Sequence, residues 1–78
     1  MKIKLCKGVG FNRLREYGFE FYPTGIEKEI EYFTWLVVDE KTRELNIRTP
    51  LGFTDDLEKY REYYQDLLDD KIIEIVKG

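Results

Sequence analysis

Apolar and polar positions fall into short runs of different period, punctuated by glycine and proline. In Phe11-Asn12-Arg13-Leu14-Arg15-Glu16-Tyr17 the apolar residues Phe11, Leu14 and Tyr17 share one face of a short helix. Gly18 follows as a natural left-handed stop. Phe19 beyond it can touch Leu14, the contact of a Schellman ending. Phe19 to Tyr22 reads as a short strand, and Pro23-Thr24-Gly25 as a turn. The clearest strand runs from Glu29 to Val38: Glu29-Ile30-Glu31-Tyr32 alternates, and Phe33-Thr34-Trp35-Leu36-Val37-Val38 is aromatic and β-branched. After the polar loop Asp39-Glu40-Lys41-Thr42, Arg43 to Thr49 alternates with Leu45 and Ile47 on one face. The two runs form a hairpin with two candidate registers. Pairing Val37 with Leu45 puts Phe33, Trp35 and Val37 in the core and is preferred; a one-residue slip substitutes Tyr32, Leu36 and Val38.

Pro50-Leu51-Gly52 turns the chain again. Thr54 then caps a helix, and Asp55 and Asp56 favour its positive end. Leu57, Tyr60, Tyr64, Leu67 and Leu68 make one apolar stripe over about 14 residues, roughly 20 Å of helix. Asp69 and Asp70 oppose the dipole at its end, so some other feature must stop it. Ile72-Ile73-Glu74-Ile75-Val76 reads as a final strand. Helical spacing of Leu68, Ile72, Ile75 and Val76 leaves a helical continuation open. The expected fold is α+β. It has a short N-terminal helix, an antiparallel sheet of three strands (about 19–22, 29–38 and 43–49), one long helix (about 55–68) packed on it, and a C-terminal strand (about 72–76).

Composition narrows the chemistry. The 78 residues make a single small α+β domain. A chain this short buries about 60–65% of its unfolded surface, so the core depends on its six Tyr, five Phe and one Trp. There is no histidine and only one cysteine. A Ser-His-Asp or Cys-His pair therefore lacks its base, and a Cys/His zinc site lacks its ligands. Lys4 and Lys7 flank Cys6 and can lower a thiol pKa, but without a base Cys6 reads as a semi-buried structural cysteine. Gly8-Val9-Gly10 resembles a phosphate-binding turn, but Arg13 stands where a dinucleotide fingerprint needs its third glycine. No cofactor or metal is expected. The longest apolar run, Phe33 to Val38, has six residues against the ~20 of a membrane span, and Cys6-Lys7-Gly8 interrupts any signal-like start. The expectation is a reduced, cytoplasmic protein with no membrane role.

The net charge of −3 is unevenly spread. Residues 1–20 carry five basic and two acidic side chains, residues 55–70 seven acidic and two basic. Lys2, Lys4, Lys7, Arg13 and Arg15 interleave with Phe11 and Tyr17, a pattern able to hold a single strand of nucleic acid, although the overall sign argues against a general nucleic-acid binder. Glu58, Glu62, Asp66, Asp69 and Asp70 recur at three or four residues as an acidic stripe opposite the apolar one. Such a stripe can meet a basic partner or imitate a phosphate backbone. Asp69 and Asp70 are neighbours and do not face each other on a helix, so they are a poor acid-base pair. Tyr63 lies off the apolar stripe, where an exposed phenol suits an interface.

The order Leu14…Tyr17-Gly18-Phe19, a hairpin with Thr42-Arg43-Glu44-Leu45-Asn46-Ile47, then Leu67-Leu68-Asp69-Asp70 before an Ile/Val tail resembles a group of small phage and prophage proteins of Gram-positive bacteria. No activity is assigned to that group. The resemblance implies expression in a bacterial host cytoplasm and no particular mechanism. The functional expectation is a non-enzymatic accessory protein, monomer or weak homodimer, that binds another protein through Glu58, Glu62, Tyr63, Asp66, Asp69 and Asp70. The alternative is a nucleic-acid-linked role, through basic contacts at Lys4, Lys7, Arg13 and Arg15 or through acidic mimicry.

Overall fold

A computed structural model describes residues 1–76. Its main feature is a five-stranded antiparallel sheet in sequential order: β2 (Glu20–Tyr22), β3 (Gly25–Glu31), β4 (Thr34–Val38), β5 (Leu45–Thr49) and β6 (Gly52–Thr54). A second, two-stranded ribbon joins the chain ends, β1 (Lys2–Leu5) running antiparallel to β7 (Ile73–Val76). The C-terminal segment is thus a strand, as its β-branched run suggests. Alternation in Lys2-Ile3-Lys4-Leu5 builds the other half, with Ile3 and Leu5 buried.

The expected three-stranded sheet under one long helix is overturned. The expected strand at 19–22 is present as β2, but the sheet gains β6 beyond β5, and its central run splits into β3 and β4. The run from Glu29 to Val38 is not one strand: it folds back at Tyr32-Phe33, with a bulge between Glu29 and Glu31. The fold-back brings Ile26 opposite Val38 and buries both completely. Phe33 takes a left-handed conformation (φ 57°) at this turn, where asparagine or glycine is usual.

The preferred hairpin register is also corrected. Val38 faces Leu45 and Leu36 faces Ile47, so these four fill the core, while Trp35 and Val37 point to the other face. The β4–β5 loop sets this register. The Asp39 carbonyl accepts from the Arg43 N–H (2.8 Å), and the Asp39 N–H donates to the Glu44 carbonyl (2.9 Å), the next rung after Val38 and Leu45. The Asp39 carboxylate accepts from the N–H groups of Lys41 (2.7 Å) and Thr42 (3.1 Å). These bonds hold its pKa below the usual value. Tyr32, the third residue of the slipped set, sits at the hairpin tip and is 83% exposed.

The first helical segment, Phe11–Tyr17, is a 3₁₀ helix. A three-residue period stacks Phe11, Leu14 and Tyr17, and Leu14 is wholly buried. It ends as the sequence predicts: Gly18 is left-handed (φ 90°), the Phe19 N–H donates to the Leu14 carbonyl (3.2 Å), and the Gly18 N–H to the Arg15 carbonyl (3.2 Å).

No long helix exists over 55–68. A 3₁₀ segment covers Glu58–Tyr63, and α1 covers only Gln65–Asp69. Tyr64 between them is non-helical (φ −125°). The Tyr64 hydroxyl donates to the Leu57 carbonyl (3.1 Å), the acceptor a continuous α-helix would give to the Arg61 N–H. Burying this phenol therefore competes with helical continuity, and tyrosine's modest helix propensity offers little resistance. The apolar stripe survives the break: Leu57, Tyr60, Tyr64 and Leu67 are all buried. α1 stops in a second Schellman motif, with Lys71 left-handed (φ 59°) and the Ile72 N–H donating to the Leu67 carbonyl (2.9 Å). That motif is what ends the helix after Asp69 and Asp70.

One core results. Ile26, Leu36, Val38, Leu45 and Ile47 form the inner face of the large sheet, in one cluster with residues of the β1–β7 ribbon and of the helical segments. Arg43 (φ 64°) fastens the N-terminal turn: its Nη2 donates to the carbonyls of Cys6 (2.9 Å) and Val9 (2.7 Å). Among the described residues no helix is long and apolar enough to cross a membrane.

Candidate functional site

The other face of the five-stranded sheet is open. Glu29, Trp35, Arg48 and Phe53 lie along one rung across β3 to β6, and Glu20, Glu27, Val37 and Asn46 along another across β2 to β5. With a side-chain period of two, all of them project to this face, together with Tyr22. Phe53 is 66% and Tyr22 38% exposed, and Trp35 is half-buried.

Glu27 is the exception, a carboxylate only 6% exposed. A buried carboxylate needs a partner, and Arg48 provides it in bidentate form. Nη1 donates to Oε2 (3.0 Å) and Nη2 to Oε1 (2.7 Å). From β5 the arginine crosses β4 between the positions of Trp35 and Val37, its guanidinium carbon 5.9 Å from the Trp35 ring centroid. Bonding to Glu27 raises the guanidinium pKa further. Tyr22 meets Trp35 edge-on, with centroids 6.4 Å apart at 80°. The Tyr22 hydroxyl donates to the Glu20 carboxylate, which raises the phenol pKa.

Two recesses flank this centre. One of about 330 Å³ is walled by Tyr22, Trp35, Glu20, Glu27 and Glu29. The other, of about 480 Å³, lies over Val37, Asn46 and Phe53 and reaches the β4–β5 loop. Both are shallow depressions on a surface, without enclosed reaction space.

The residues singled out from sequence lie elsewhere and do not converge. The kink at Tyr64 divides the acidic stripe. Glu58 is paired with Arg61 (3.2 Å), and Glu62 is exposed. The Asp66 carboxylate accepts from the Leu67 N–H (2.8 Å), Asp69 from Gln65 Nε2 (2.9 Å), and Asp70 from the Tyr17 hydroxyl (2.5 Å). The Tyr63 hydroxyl donates to Glu31 (2.7 Å), tying the second 3₁₀ segment to β3, and this bond pushes its pKa up to about 12.

The basic residues are equally dispersed. Lys4 is half-buried on β1 opposite Glu74, and Lys7 is exposed in the following turn. Arg13 bonds Glu16 (2.5 Å), and Arg15 stacks 4.1 Å above the centre of the Phe21 ring. Burial, and then Glu74, raise the Cys6 thiol pKa, the reverse of an activated nucleophile. Among the described residues no group of three or more His, Cys, Asp or Glu is placed to hold a metal.

Tyr22, Glu27, Arg48 and Phe53 were not singled out from sequence. The usable signal was the alternation in Gly25–Glu31, which sets Glu27 and Glu29 apart from Ile26 and Lys28. No protein-family model, curated protein or solved structure matches the chain.

Proposed function

We propose that the protein is a small non-enzymatic accessory protein, in a phage or prophage setting within a bacterial cytoplasm, that acts by binding another protein. The open sheet face carries this reading. Tyr22, Trp35, Val37 and Phe53 offer aromatic and apolar surface around a single preorganised ion pair. Aromatic and arginine side chains are the types enriched at protein interfaces.

Size favours a short partner segment. Five strands about 4.8 Å apart and about five residues long make a face of roughly 300–400 Å², under half the ~800 Å² per partner of a standard interface. An extended segment of about five residues matches that length. Aromatic side chains on an open sheet can also stack nucleic-acid bases. Here the charge decides against that: the one arginine of the face is neutralised by Glu27, and Glu20 and Glu29 beside it repel phosphate.

Photo-crosslinking tests the proposal. A benzophenone side chain at Phe53 should trap a protein from host extract, and one at Glu62, away from this face, should not. Crosslinks from Glu62 with none from Phe53 would move the site. A turnover on a small molecule that one point change abolishes would end the non-enzymatic reading.

A further inference from the structure

We infer that the partner places a cationic side chain, arginine or lysine on an extended segment, in the recess walled by Tyr22, Trp35, Glu20 and Glu29. The inference rests on the open face being the binding surface. Its first support is an uncompensated charge. Glu20 lies directly opposite Glu27 across β2 and β3, and like charges so placed are destabilising. Glu29 projects to the same face two residues along. Arg48 satisfies Glu27 alone. Lys28 borders the recess, its stem beside Gly18, and among the described residues it makes no ion pair. Three carboxylates thus meet two cations, and one negative charge is left at the aromatic pair.

The second support is internal to the face. Arg48 already shows how it holds a guanidinium: bidentate to one carboxylate, near the face of Trp35. On the Tyr22 side the same materials recur without a guanidinium. Tyr22 and Trp35 supply the rings, and Glu20 and Glu29 the carboxylates. A charge-assisted contact there suits arginine best, because its planar fork matches a carboxylate and stacks on a ring.

Trp35 is the only tryptophan, so its emission reports on the recess directly. The probes are three unstructured peptides, alternating threonine with arginine, glutamine or glutamate, and an oligothymidine strand. The arginine peptide should shift Trp35 emission saturably and bind more weakly as salt rises. Glu20→Gln with Glu29→Gln should weaken it by about tenfold, with the far-ultraviolet circular dichroism unchanged. Equal binding of the glutamine and arginine peptides would overturn the cationic inference and leave the binding face standing. Binding of oligothymidine alone would overturn both. Silence of Trp35 toward every probe at millimolar concentration would overturn the cation site, while crosslinking from Phe53 decides the face separately.

Discussion

Removing Arg48 should harm the fold more than removing Glu27, although the two share the same hydrogen bonds. The Glu27 side chain is 7% exposed and the Arg48 side chain 38%. Arg48→Met strands a carboxylate where water cannot replace the lost donors. Breaking a fully buried pair this way costs about 3–5 kcal/mol. Here the arginine end of the pair is partly wet, so the expected loss is about 2–3 kcal/mol. Glu27→Leu removes the buried charge itself and leaves a guanidinium able to turn toward solvent, so about 1 kcal/mol is expected. The double variant Glu27→Leu with Arg48→Met replaces the pair by apolar surface and should lie within about 1 kcal/mol of the parent. Urea unfolding followed by Trp35 emission measures all four proteins at pH 7. A Glu27→Leu loss equal to that of Arg48→Met, or a double variant showing the sum of both, would refute the reasoning. Glu27 would then not be a desolvated charge held by Arg48.

Other expectations follow from the core, the helix ends and the tyrosines. Leu67→Ala should cost about 2–5 kcal/mol from lost burial and a cavity, and Glu62→Ala less than about 0.5 kcal/mol; equal losses in urea unfolding would mean the segment is turned the other way. Gly18→Ala should destabilise by about 1–2 kcal/mol, because φ is 90°, a conformation L side chains rarely adopt. Lys71→Gly should instead stabilise by about 0.5–1 kcal/mol, since a non-glycine residue holds the left-handed position there; the same sign for both in thermal unfolding would contradict one of the two caps. The Tyr63 phenol has a folded pKa of about 12 against 10.0 unfolded, so its contribution is complete below pH 10 and fades as pH rises through 12. Tyr63→Phe should flatten the alkaline loss of stability across that window, and an unchanged alkaline limb would show that the bond to Glu31 contributes nothing.

Much of the inner face was legible in the chain. The period of Leu45 and Ile47 and the Gly18 stop do what their spacing implies, and the stripe Leu57, Tyr60, Tyr64, Leu67 is buried, although not on the one long helix its spacing suggests. The breaks were hidden because their causes lack the usual signals. Phe33 and Lys71 occupy left-handed positions normally marked by glycine or asparagine. The break at Tyr64 accompanies a phenol bonded to a carbonyl seven residues back and a 3₁₀ turn that gives the same carbonyl to the Tyr60 N–H, which no periodicity reports. β1 shows a clear alternation, but its partner is at the far end of the chain. The candidate site was least legible, because it exists only once five strands are in register. A one-residue slip between β4 and β5 turns Trp35 inward, opposite Ile47, and parts it from Arg48, and the Asp39 loop that fixes the register carries no hydrophobic pattern.

Hydroxyl-radical footprinting tests the central claim most directly, because it reads occupancy of the open face side chain by side chain. In the isolated protein Trp35, Tyr22 and Phe53 should oxidise readily. In host extract all three should be protected, while Tyr32, 83% exposed at the hairpin tip, keeps its rate. Unchanged oxidation of Trp35 and Phe53 in extract, with protection at Tyr63 or Tyr32 instead, would contradict the account and place the partner on another surface.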